Sequence, residues 1–579
     1  MLITIILTWI LAGSAELFQP TAALARWEAD GNLVRPEADG VRFRNHVLSD
    51  DAGGALVVWE ESPGDSRPNN IFCSRLTGLG DRYPGWPADG VPLGSTPSFN
   101  SGPDAVPDGQ GGTFVSWIGA ILVNPFQGYN GFVQHIEASG VLASHWPAAG
   151  VQVCTGTSGF PRVAQDGAGG VLVTWDDNRN GDGNHDIYAQ HLTADGGLWP
   201  SWPTNGLGVN TSLRDDVWPR ILSDGSGGAF ICWSSFVSAD VYLQRITATG
   251  DISPGWPADG VLVCGAAGDQ FEVVMTPDGA GGVILAWYDS RNDDGDIYAQ
   301  RITAQGTVSP GWSDGGMPVC MAPLDQGVPQ IAAVDGGRVV IIWDDRRNDT
   351  SFQVYAQCLT PDGKVADGWP MNGLPLGQSA GSHSYGAIVA DQTGGAIVVW
   401  SDRRSGEGDI YAEHLLPNGQ LFPGWPADGV PLCRAPGNQD EPSITSDGEG
   451  GAIVSWTDSR RAPWGDIYAA RVTAAGVTGP AIVAEPPRLQ AVGVRPNPLR
   501  DHADIWFQLP SPAPIEARIF DLRGRAVVTL AANCLFQAGP GSLTWSGQDN
   551  EGRVVRPGVY FVQVKSPINI MTARMVKLQ

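Results

Sequence analysis

The chain has 579 residues, 42% of them apolar, with 77 Gly and 44 Pro. It is too long for one ordinary core and too rich in turn formers for long helices, so several domains or a repeat array built from short strands is expected. With 61 acidic against 35 basic residues the net charge is −26, which repels phosphate backbones and anionic lipid and argues against nucleic-acid and membrane-surface partners.

The first element, residues 1–25, reads as an export signal. Ile5 to Leu11 form an apolar core, and Ala23-Leu24-Ala25 puts small residues where a signal peptidase reads. Gly13, Ser14 and Glu16 end the run well short of the ~20 apolar residues a spanning helix needs. Asp39-Gly40-Val41-Arg42-Phe43 then looks like the last piece of a repeat without its first three (compare Asp259-Gly260-Val261-Leu262-Val263). This predicts that an N-terminal strand completes the final repeat and clasps a ring.

The repeat shows in a Trp that ends an apolar run: Trp59, Trp117, Trp175, Trp233, Trp287, Trp343, Trp400 and Trp456, spaced 54 to 58 residues apart. Each unit offers four short strand signals between Gly/Asp/Pro clusters. Around Trp287 they are Phe271 to Met275, Gly282 to Trp287, Asp296 to Thr303 and a piece ending at Val319-Cys320. Four strands in about 57 residues, eight times over, fit an all-β, eight-bladed β-propeller across 26–484 better than a solenoid.

Two motifs recur. Trp-x-Asp-x-Arg, as at Trp175/Asp177/Arg179 and Trp287/Asp289/Arg291, leads to Asp-Ile-Tyr-Ala; its recurrence in five repeats reads as structural pairing, because a catalytic site needs such groups once. Within the third repeat, Asn178, Asn180, Asp182 and Asp186 set oxygens at alternate positions around a Gly, the arrangement that lets a loop wrap calcium; the other reading is a polar hairpin. Gly-Trp-Pro-Ala-Asp-Gly-Val, at Gly85, Gly255 and Gly424, puts Trp256 and Trp425 in line as glycan-stacking surfaces, or as covers of the edges between blades. Cys154, Cys264, Cys320 and Cys433 hold one phase of different repeats, so they are expected as small buried residues and not as disulfides. His135, His191 and His414 take the place of Arg75, Arg245, Arg301 and Arg471, which reads as a solvent-side or inter-blade role. No catalytic or phosphate-binding motif is found. The repeats that depart from the acidic loop, at Ile118–Asn130 and Ser234–Ala239, are the places to look for a unique site.

The repeat stops near Ala484-Glu485-Pro486-Pro487, and alternating strands follow over Ala503–Leu509, Ile515–Phe520, Ala526–Leu530, Ser542–Trp545, Gly558–Val564 and Thr572–Leu578. These suggest a small β-sandwich over 485–579. Arg495-Pro496-Asn497-Pro498, Ile519-Phe520-Asp521-Leu522-Arg523-Gly524-Arg525, Trp545-Ser546-Gly547-Gln548-Asp549 and Pro557-Gly558-Val559-Tyr560-Phe561 carry a resemblance. The segment resembles the immunoglobulin-like C-terminal domain of type IX secretion sorting tails and of the flagellar hook-capping protein. The resemblance implies outer-membrane translocation or surface attachment through secretion machinery, with no catalysis in the tail itself. The reading is an exported or cell-surface, non-enzymatic propeller binding an extracellular protein or glycan. Its rivals are an extracellular polysaccharide hydrolase or lyase and a multivalent lectin. Calcium is the one cofactor considered.

Overall fold

The computed structural model describes residues 27–36, 40–63, 68–94, 99–120, 129–155, 159–181, 184–210, 212–292, 295–348, 351–377, 381–461, 465–478, 491–509, 513–536, 539–566 and 570–579. The expected export signal therefore lies outside the described residues. Among those described there is no α-helix, only a single 3-10 turn at Asp335–Gly337, and no helix long and apolar enough to cross a membrane. The chain divides into two compact units, one spanning Ala25–Ala481 and the other containing Ile482–Gln579.

The first unit is all-β and propeller-like. Its described strands form eight four-stranded antiparallel sheets, here sheets I to VIII in chain order. Sheet V is typical: Gln270–Pro277, Val283–Asp289, Asp296–Ile302 and Met317–Cys320 pair in that order. Alternating apolar residues pack the faces of neighbouring sheets, and the core Trp of each second strand is 0–1% exposed. The first strands of the eight sheets neighbour one another in cyclic order, with Val41–Ser49 of sheet I beside Gln439–Ser446 of sheet VIII.

The N-terminus does complete sheet VIII, but through a different segment from the one expected. Asn32–Leu33 pairs with Tyr468 and Ala469 as the fourth strand, whereas Val41–Phe43 opens the first strand of sheet I. The physical reason is the landmark before each fourth strand. Trp27-Glu28-Ala29-Asp30-Gly31 repeats Trp256-Pro257-Ala258-Asp259-Gly260 with Glu in place of Pro, and Gly31 adopts the same left-handed conformation (φ 86°) as Gly260 (φ 79°). Buried Arg42 locks the seam, pairing with Glu61 of sheet I (2.8 Å) and with Asp466 of sheet VIII.

A belt of indoles runs around the whole ring. Trp27, Trp86, Trp146, Trp202, Trp256, Trp312, Trp369 and Trp425 are each 2–7% exposed. Every one donates its indole N–H to a carbonyl in the next sheet, at Gly78, Ala138, Ala194, Ala248, Ala304, Pro361, Pro417 and Ala474 respectively, at 2.8–3.1 Å. Beside it, in seven sheets an Asp of the turn between the first two strands (Asp50, Asp108, Asp166, Asp224, Asp278, Asp391 and Asp447) pairs with Arg75, His135, His191, Arg245, Arg301, His414 and Arg471 of the same sheet respectively. His191 and His414 pass a second hydrogen bond to the same carbonyls that receive the indoles, at 3.1 Å each. Their role is between sheets; at 0–1% exposure they do not face solvent.

The second unit has two sheets, Ala491–Arg495/Ala503–Leu509/Gly539–Trp545 and Ala526–Phe536/Ala513–Asp521/Gly558–Lys565/Ile570–Lys577. Ile505, Phe507, Ile519, Trp545, Val562 and Met575 join in one core between them. Several resemblance residues are structural fasteners: Asn497 grips Arg574 O and Val576 N (2.8 and 2.9 Å), and Asp521 and Asp549 close matching turns on Arg525 and Arg553.

Candidate functional site

The repeated Trp-x-Asp-x-Arg motif is knitted within each sheet. In five sheets the core indole donates to the Asp at 2.8–3.1 Å, the Arg pairs with the same carboxylate at 2.5–2.6 Å, and the guanidinium lies 3.8–4.0 Å over the Tyr of Asp-Ile-Tyr, or of Gln353-Val354-Tyr355 in sheet VI. Arg291, Arg347 and Arg460 also donate to Cys264, Cys320 and Cys433 of the preceding sheet, at 3.0, 3.2 and 2.8 Å. Cys73, Cys154, Cys232, Cys264, Cys320, Cys358 and Cys433 are buried and free. Burial pushes the thiols of Cys264 and Cys320 up to about 11 and about 12, so they serve as packing groups and weak acceptors.

The expected site residues fare differently. Trp256 and Trp425 are 7% and 6% exposed, with their N–H groups engaged in the belt, so neither offers a face to a sugar. That corrects the glycan-stacking expectation: the sequence motif repeats because every sheet needs the same cover. In the calcium candidate, Asp182 lies outside the described residues. Asn180 turns its amide nitrogen, not its oxygen, toward Asp186 (2.6 Å), while Asn178 is half-buried. Among the described residues no three His, Cys, Asp or Glu side chains are grouped to hold a metal.

A different ring of residues stands out, and sequence reading missed it. In seven sheets the first strand carries a left-handed residue near its start: Arg44, Gly102, Trp218, Glu272, Val328, Tyr385 and Glu441, with φ of 52–62°. In all seven the ladder slips there, marking a β-bulge. Six of the seven are not glycine, and each such residue costs on the order of 1 kcal/mol or more in this region. Phe160 holds the equivalent place in sheet III. A Pro follows in five of the eight (Pro103, Pro161, Pro219, Pro329, Pro442), because a residue without an N–H suits the gap in the ladder. That repeated Pro is the signal in the sequence.

Three carboxylates prop up this rim, buried Glu60 and Asp344 and half-buried Asp176, each one residue after a core Trp. Glu60 accepts the N–H of Gly102 (3.1 Å), Asp344 that of Tyr385 (3.4 Å), and Asp176 that of Trp218. Burial raises the carboxyl of Asp176 above its usual range, and burial with nearby Glu272 raises that of Asp344 to about 7. The rim side chains themselves differ from sheet to sheet and are exposed: Phe160 42%, Trp218 58%, Val328 44% and Tyr385 51%. Phe236 (65%) and Val237 (77%), in the departing loop of sheet IV, join them, with Phe236 edge-on to Trp218 at 6.2 Å. Of the other departing loop, Ile118–Asn130 in sheet II, residues 121–128 lie outside the described residues and the rest belongs to the strands Thr113–Ala120 and Tyr129–Ile136.

Two residues beyond the rim, His46, Asp104, Arg162, Arg220, Val274, Gln330, Ala387 and Ser443 occupy equivalent positions on the eight first strands. The first strands neighbour one another in cyclic order, which sets these positions around a common central space, and His46 feels the charges of Asp104, Arg162 and Arg220 on the three sheets that follow its own. Burial, with the two arginines adding to it, holds the His46 imidazole below its ordinary value, so it is neutral at neutral pH.

No family model and no curated protein matches the chain. Among solved structures it is similar to a fungal alcohol oxidase of the AA5 family in complex with copper, at 12% identity and a TM-score of 0.38 over 96% of this chain and 100% of that one. It is similar also to PorZ, a bacterial surface component of the type-IX secretion system of Porphyromonas gingivalis, at 12% identity and TM-score 0.30 over 92% and 70%. An α-L-arabinofuranosidase, Arb93A from Fusarium graminearum, matches at 14% identity and TM-score 0.31 over 55% and 93%. Scores this low carry no argument about activity or partners.

Proposed function

We propose that the chain is an exported or cell-surface, non-enzymatic recognition module that binds an extracellular protein or glycan at the bulge rim. In this reading the first unit is an eight-bladed propeller closed by Asn32–Leu33. The tail is an immunoglobulin-like domain of the type IX sorting or hook-capping kind, handled by secretion machinery. One observation carries the binding reading. The scaffold repeats around the ring, but the rim residues change along it, Arg44, Phe160, Trp218, Val328 and Tyr385 each occurring once and only Glu twice, as a single asymmetric ligand requires. The test is binding of the purified chain to a glycan array and to candidate extracellular proteins, with a Trp218→Ala/Phe236→Ala double variant. Binding lost while the melting temperature holds supports the rim; binding that survives the double substitution overturns it.

A second reading, a polysaccharide hydrolase, is favoured by one pair. Asp344, with its raised carboxyl, sits beneath the rim beside exposed Glu272, which is how an acid and a base are kept apart in protonation. Release of reducing ends from a polysaccharide, abolished in Asp344→Asn, would establish it. An inactive protein across the panel removes it.

A further inference from the structure

Resting on the rim as the binding face, we propose that its ligand is a glycan bearing oxyanion groups, carboxylate or sulfate, gripped by Arg162 and Arg220 in the central space while its sugar rings lie on Phe160 and Trp218.

The argument starts from two adjacent sheets. Sheet III carries Phe160-Pro161-Arg162 and sheet IV carries Trp218-Pro219-Arg220, so an exposed aromatic at the rim is followed two residues on by an inward guanidinium, twice in succession. Sheets V to VIII carry Val274, Gln330, Ala387 and Ser443 at the arginine position, none of them charged. The cationic groups are therefore confined to one side of the ring.

The charges there do not cancel. Arg220 is exposed and has no hydrogen bond or ion pair from its side chain among the described residues, and its main neighbouring charge is the like charge of Arg162. Arg162 reaches Asp104 only at 3.7 Å, and that carboxylate already accepts the N–H of Val163 at 2.9 Å. Arg44, the remaining cation on this side, is neutralised by Glu60 (3.1 Å). His46 adds a neutral ring. Two guanidinium groups thus face one carboxylate, in a chain whose net charge is −26. Like charges held together without a partner are unfavourable unless an anion joins them, and the guanidinium fork matches a planar or tetrahedral oxyanion. The aromatic faces beside them suit the C–H face of a sugar ring and not a bare ion.

The test uses the full exported chain and three polymers: polygalacturonate, dextran sulfate and neutral dextran, with binding followed by calorimetry at physiological salt. Polygalacturonate or dextran sulfate is expected to bind and neutral dextran not; which of the two binds identifies the anion. Arg220→Gln should weaken that binding about 10- to 100-fold, as loss of a charge-assisted contact implies. Arg220→Lys should recover part of it. Because Arg220 holds nothing else in place, an unchanged melting temperature certifies the fold of both variants. Equal binding of neutral dextran, or affinity indifferent to Arg220, overturns the oxyanion proposal. If such binding is still lost in Trp218→Ala, the rim reading survives; if Trp218→Ala also has no effect, both fall.

Discussion

The indole belt and the bulge rim occupy the same eight sheets and behave in opposite ways. In the belt, the residue is constant and the partner is constant: a buried Trp donates to the next sheet eight times in succession. At the rim, the position is constant and the residue is not, running from Arg44 through Phe160 and Trp218 to Glu441. Repetition of identity marks what a ring needs from every sheet. Repetition of place with change of identity marks what only one ligand needs. The comparison also explains why the tryptophans that look most like a lectin in the sequence are the wrong ones, whereas Trp218 is exposed.

Breaking the belt side of the comparison should cost stability, and breaking the rim side should not. The largest effect is expected from the core: Trp456→Ala, at 0% exposure, should lose about 3–5 kcal/mol in chemical denaturation.

Next comes Glu413. Five sheets place Gln at its position, and each donates to a carbonyl 13 residues on, as Gln300 does to Ser313 (2.7 Å). Glu413 is buried and its carboxyl is pushed up from 4.5 to about 8, so it stays protonated and keeps an O–H to donate. The unfolded chain loses that proton near pH 4.5 and the folded one near pH 8, so the folded state binds more protons between them. Stability therefore falls as pH rises through this window, by up to about 1.4 kcal/mol per unit. Glu413→Gln should flatten that slope; a variant with the same pH profile as the parent would show that Glu413 ionises freely.

A smaller effect tests the belt bond itself. Trp256→Phe should cost about 1 kcal/mol for its lost hydrogen bond, plus some packing, and Trp27→Phe should cost the same if the seam is equivalent to any other joint. A much larger loss at Trp27 would mean that the ring is weakest where its ends meet. Smallest of all, Trp218→Ala should change stability by no more than about 0.5 kcal/mol while removing ligand binding, read as a melting curve beside a titration.

Much of the fold was legible. The Trp spacing marks the repeats, and Asp296–Ile302 and Ala503–Leu509 fall where the alternation predicts. The closing strand was misplaced because Glu28 breaks the Trp-Pro pattern that flags six of the other seven fourth strands, and no third strand precedes it to set the phase as one does before Trp312-Ser313. The strand Ala491–Arg495 went unread because it adjoins the Pro-rich stretch where the repeats stop. The site was hardest to see. A bulge is set by backbone conformation, and nothing in Arg44, Glu272 or Tyr385 as residue types announces a positive φ. The aromatic-Pro-Arg pair was visible only once the ladder slip had aligned the first strands.

The seam joins Asn32 to Ala469 and Leu33 to Tyr468. The strand made first on the ribosome thus belongs to the sheet finished last, and that sheet cannot exist until the whole ring has been synthesised. The earliest segment of the ring thus has no partner until its latest arrives. Closing so long a loop is slow, although its entropic cost grows only with the logarithm of its length. The ring can therefore shut only after its last sheet has been made.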